Sequence, residues 1–82
     1  MNLIPALVLD ANILIRAVLG KRVRSLIETY AAHVRFFTPG ACVTSAQEYL
    51  PDLAHRRGWP AERGLTLLAR VCDWIEVVES AL

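Results

Sequence analysis

Apolar and polar positions alternate along the chain in two different rhythms. Residues 6–9 are an uninterrupted apolar run, the pattern of a short strand buried on both faces. Past Asp10, Asn12 is placed to cap a helix running to about residue 19, and Gly20 ends it. From about 22 to 33, Val23, Leu26, Ile27, Tyr30 and Ala31 recur at three- and four-residue spacing, which marks an amphipathic helix. Residues 34–38 read as a second strand, stopped by Pro39 and Gly40. A third helix covers roughly 41–57 and closes at Gly58, with Pro51 a kink or a local break inside it. A fourth begins at Pro60 and carries Leu65, Leu68, Ala69 and Cys72 on one face; residues 74–78 form a third strand. The order βααβααβ predicts an α/β fold, with parallel strands joined by helical crossovers.

Length bounds this to one domain or part of one, because 82 residues bury only about 60% of their unfolded surface. No repeat, low-complexity tract or flexible linker divides it. The 55% hydrophobic and 21% charged content excludes a disordered chain. It is also rich for a small domain wholly surrounded by water, so some apolar surface is expected to seek a partner. A net charge of +1 makes no case for a polyanion binder overall. The charge is uneven, however: Arg16, Lys21, Arg22, Arg24 and Arg35 stand against Glu28 in one segment, and Asp73, Glu76 and Glu79 stand without a base in another. The basic segment suits a phosphate backbone, and the acidic one a solvated rim.

Cys42 and Cys72 have no CxxC partner and no histidine at metal-ligand spacing, which reads as reduced, packed thiols in a cytoplasmic protein. Pro5, Asp10 and Arg16 interrupt what would otherwise mimic a signal or membrane helix. The expectation is a soluble, unexported chain.

Asp10 draws attention because ligands of a parallel sheet bind beyond the carboxyl ends of its strands, where the first strand releases this residue. A carboxylate leaving an apolar strand needs a cation or several donors. Two readings stand: Asp10 and Asn12 cap the next helix, or Asp10 holds a metal. Glu48, on the helix that follows strand two, starts from the same edge of the sheet. Ser45 to Glu48 fits a capping box, but the helix begins nearer residues 40–43, which leaves Ser45 inside it and Glu48 available to a site. Arg16 either guides a nucleic acid towards Asp10 or lies on the surface. His33 and His55 suit helix ends, Trp59 and Trp74 suit core or interface anchors, and Tyr49 is expected to pack.

The runs VLDANILIRAVLG, FFTPGACVTSAQEYLPDLAHRRG and CDWIEVV together resemble the PIN domain, the PilT N-terminus-like fold of metal-dependent ribonucleases and of the toxins in VapBC-type toxin–antitoxin pairs. The resemblance implies a three-layer α/β/α fold with a parallel sheet, here truncated to about three strands and four helices. It also implies acidic residues around Mg²⁺ or Mn²⁺, which activates water for attack on an RNA phosphodiester. Asp10 matches the first family acid, Glu48 the second, and Asn12 the polar neighbour that orients the first; Arg16 is a possible RNA contact. The family's remaining acids and strands lie beyond the third strand, so residues 1–82 correspond to an N-terminal part, expected to be inactive alone. Strand one, central in the family, becomes an open edge and predicts a homo-oligomer. An antitoxin is a further possible partner, and no membrane is. The alternative is a non-catalytic, protein-binding or self-associating module. Haloacid-dehalogenase-like phosphatases fit less well, because they resemble Asp-x-Asp where this chain has Asp-x-Asn.

Overall fold

A computed structural model describes residues 4–79. Strand β1 (Ala6–Val8) leads into helix α1 (Ala11–Leu19) and helix α2 (Lys21–Tyr30); β2 (Arg35–Pro39) is followed by α3 (Gly40–Arg56) and α4 (Ala61–Cys72), and β3 (Ile75–Val78) ends the described chain. All pairings are parallel and the sheet order is β1-β2-β3. The four helices and the parallel sheet are those expected, and β1 is an edge strand among the described residues.

Register explains the layering. Leu7, Phe36 and Ile75 are aligned across the three strands on one face of the sheet. There Phe36 and Ile75 join Leu9, Leu14, Ala17, Val18, Ile27, Ala46, Leu50, Leu68 and Val71 in a single core. Leu14 and Leu50 are fully buried, and each contributes about 1.5–3 kcal/mol by leaving water. The next register row, Val8, Phe37 and Glu76, belongs to the other face. Val8 there is 73% exposed. Arg35 covers Phe37 at 4.9 Å and pairs with Glu76 at 3.2 Å, an exposed bridge of small energetic weight. The described helices therefore cover one face, and two of the three expected layers lie within the described residues.

Individual helices depart from expectation in physically informative ways. Helix α1 starts one residue before Asn12, and its N-cap is Asp10, whose extended backbone (φ −91°, ψ 177°) lets the side chain accept from the Ile13 N–H. At its other end Arg24 donates to the carbonyls of Val18 (2.8 Å) and Ala17 (3.3 Å), supplying the cation that a helix C-terminus favours. Only Ile27 of α2 is buried, while Leu26 and Tyr30 are each 51% exposed. They line an apolar hollow with Leu7, Val23, Val34 and Phe36 beside the β1 edge. Helix α3 runs unbroken through Pro51, which deletes a single backbone bond. Ser45 lies in its interior, so no capping box forms. Helix α4 buries Gly64, Leu68 and Val71 rather than the face carrying Leu65 and Ala69. Gly64 packs under Leu50 and Ala54 of α3, and Leu65, Ala69 and Cys72 line a groove shared with Val43, Gln47 and Val77. Trp59 and Trp74 pack on the core as expected. Tyr49, expected to pack, is 62% exposed.

Candidate functional site

The carboxyl edge of the sheet is built from the residues that end each strand. Asp10 follows β1 by two residues and is exposed. Its Oδ1 accepts from the Ile13 N–H at 3.0 Å, and its main-chain carbonyl accepts from the Leu14 N–H at 3.1 Å. One carboxylate oxygen is thus committed to the helix, and Oδ2 makes no hydrogen bond among the described residues. The two readings of Asp10 are compatible: one oxygen caps, and the other is presented to solvent at the sheet edge.

Asn12 and Arg16, one turn apart on α1, are both exposed, whereas Leu14, Ala17 and Val18 of the same helix are buried. The helix therefore carries Asn12 and Arg16 along its solvent side, and Asp10 caps its N-terminus. Glu48 is placed differently. It lies two positions from Ala46 and from Leu50, both fully buried, which puts it about 200° around α3 from each of them. It is exposed on the side of the helix turned away from the core, and it makes no hydrogen bond or ion pair with Asp10, Asn12 or Arg16 among the described residues.

Two residues beyond the expected set act at this edge. Glu79, directly after β3, is exposed, as expected for a solvated rim. Its carboxylate lies over Gly40, where a Cβ would meet Oε1 at 3.1 Å. Helix α3 starts there with no side-chain cap and no acid in its first turn, so Glu79 brings from another strand the negative charge that this terminus favours. Thr38 is fully buried, the one buried polar residue among those described, and its hydroxyl donates to the Leu9 carbonyl at 2.8 Å.

A hard divalent cation takes oxygen ligands and is held by one or two carboxylates together with waters and substrate phosphate. Asp10, with one anchored and one open oxygen, fits one ligand of such an ion. No group of three or more His, Cys, Asp or Glu side chains that would complete a centre occurs among the described residues. Cys42 and Cys72 are unpaired. Burial, and after it the neighbouring Asp73 charge, push the Cys72 thiol above its ordinary range, which makes it a poor thiolate ligand. No helix among the described residues is long and apolar enough to cross a membrane.

No curated protein and no solved structure matches the chain. A family model described as PIN domain matches residues 8–82, a span that begins inside β1, holds Asp10 and takes in every element built around it. The chain belongs to the PIN domain family.

Proposed function

We propose that this chain carries the first-strand portion of a PIN-type endoribonuclease, in which a divalent Mg²⁺ or Mn²⁺ ion supplies the activated water for RNA phosphodiester hydrolysis. The PIN family is a nuclease-type family. The observation that carries the assignment is Asp10 itself, a carboxylate anchored through Oδ1 to the α1 N-terminus with its other oxygen open at the carboxyl edge of a parallel sheet. Asp10 is the metal ligand of this reading, Asn12 borders it on α1, and Arg16 on the same solvent side contacts the RNA backbone. Glu48 is the weaker of the two acid assignments, because it sits on the outer side of α3. No group of three or more metal-ligating side chains forms around Asp10 among the described residues, and the chain alone is proposed to be inactive. A toxin–antitoxin role and a cytoplasmic setting accompany this reading.

A single-stranded RNA incubated with the 82-residue chain and Mn²⁺ tests it. Cleavage at or near background is expected. A robust metal-dependent rate that survives Asp10→Asn would sink the assignment.

The second reading is a non-catalytic module that binds itself or another protein. It is favoured by the exposure of Leu7 (53%), Val8 (73%) and Val78 (48%) on the sheet and by the open edge of β1. Light scattering across the micromolar range discriminates: a concentration-dependent dimer that Val8→Lys dissociates supports it, and a monomer throughout removes it.

A further inference from the structure

Backbone pairing between β1 and β2 follows the regular parallel pattern until it reaches the residue before Asp10. The Arg35 N–H donates to the Pro5 carbonyl at 2.8 Å, and the Leu9 N–H donates to the Phe37 carbonyl at 2.7 Å. Evenly spaced parallel bonds advance two residues at a time. The next donor, in register for the Leu9 carbonyl, is therefore the backbone nitrogen of residue 39. That residue is proline and has no N–H. The Leu9 carbonyl would stay without a strand donor at the point where the chain turns into α1. Instead the buried Thr38 hydroxyl reaches it at 2.8 Å.

From this we infer that Thr38 is the positioning residue of Asp10, substituting a side-chain donor for the ladder bond that Pro39 removes. Leu9 is then held on both sides of its peptide, through N–H to Phe37 and through C=O to Thr38. Asp10, the next residue, leaves β1 from a fixed point with its Oδ1 aimed at the Ile13 N–H. The Thr-Pro pair thus releases β1 from the sheet without releasing its last peptide. For the carboxylate this matters because a metal ligand is useful only when its orientation is set by partners outside the coordination shell. The inference deepens the metal-ligand reading of Asp10 and rests on it only for the metal readout.

The experiment uses the complete chain with Thr38→Val, which keeps the branched shape and removes the donor, and Thr38→Ser, which keeps the donor. Amide hydrogen exchange at Ile13 reports the Asp10 cap, and exchange at Val71, buried in α4, reports general stability. Thr38→Val is expected to lower Ile13 protection about tenfold relative to Val71 and to weaken Mn²⁺ binding about tenfold, the low end for residues that orient a ligand. Thr38→Ser is expected to match the parent in both. An unchanged Ile13-to-Val71 ratio in Thr38→Val overturns the inference. Should Thr38→Val not fold, the serine variant decides: parent-like Ile13 protection supports it, and a tenfold loss with the hydroxyl present overturns it. If Ile13 protection falls as expected while the parent chain binds no Mn²⁺, the positioning role stands and the metal reading of Asp10 fails.

Discussion

Asp10 is assigned two tasks by its two oxygens, and substitution separates them. Replacing Asp10 by alanine removes the acceptor that takes the Ile13 N–H at 3.0 Å, and loss of such an N-cap costs about 1 kcal/mol, within a range of about 0.5–2. Helix α1 has no other acid in its first turn, so the same change also removes the favourable charge at the helix N-terminus, about 0.3–1 kcal/mol at an exposed position. Asparagine caps about as well as aspartate and loses only the charge term. For a domain of this size each kcal/mol corresponds to about 4–8 °C in Tm. Asp10→Ala is therefore expected to lose about 1.3–2 kcal/mol and melt about 5–16 °C below the parent, and Asp10→Asn about 1–8 °C below it. Thermal unfolding followed by circular dichroism at low salt and at 1 M NaCl checks both parts. High salt screens the exposed charge term, whose reach shrinks to about 3 Å at 1 M, so the asparagine variant should converge on the parent while alanine stays apart. Equal melting of the two variants at both salt concentrations would show that the Oδ1 bond does not cap α1.

Three further outcomes follow from the packing and the ladder. Gly64→Ala is expected to raise stability by about 1 kcal/mol through helix propensity, because a Cβ there would meet Leu50 Cβ at an ordinary 3.5 Å; a drop in the urea midpoint would mean that α3 and α4 have no room for a methyl. Thr38→Val leaves the buried Leu9 carbonyl without its donor, a loss of about 1–3 kcal/mol. Adding Pro39→Ala to that variant restores an N–H in ladder register and should recover about 1 kcal/mol of it, measured by urea unfolding. Cys72 holds its proton above the ordinary value of 9.0 when folded. The unfolded chain releases that proton first, so the stability tied to this group is intact below about pH 9 and falls as pH rises above it. Cys72→Ala should lessen that alkaline fall, and identical pH profiles for the two proteins would contradict the raised value.

Most of the architecture is written in short-range pattern. Apolar runs bounded by Asp10, Gly20, Pro39 and Gly58 mark all seven elements in their order, because turn residues and periodicity act locally. What the pattern leaves open depends on neighbours. Asp10 and Asn12 are both good caps two residues apart, and only the extended backbone of Asp10 decides that it, and not Asn12, starts α1. Leu26 and Tyr30 have the spacing of buried positions yet stand half exposed, because they lie beside a sheet edge. Helix α4 turns Gly64 onto Leu50 and Ala54 of α3, and a glycine reads in sequence as a weak helix former rather than as a contact. Glu48 shares a helix and a sheet edge with the site, but helical phase turns it outward from buried Ala46 and Leu50. Thr38 reads as the last residue of a strand; the signal that would have found it is a hydroxyl residue directly before a proline that ends a parallel ladder.

Binding of a divalent cation by the open oxygen of Asp10 is the proposal on which the reading of the site turns. Titration of the folded 82-residue chain with Mn²⁺, read by electron paramagnetic resonance of the free ion, measures it against Asp10→Asn, which keeps the cap and removes the charge. Saturable binding by the parent that falls at least tenfold in Asp10→Asn is the predicted result. Equal Mn²⁺ affinity in the parent and in Asp10→Asn, or none in either, would contradict it.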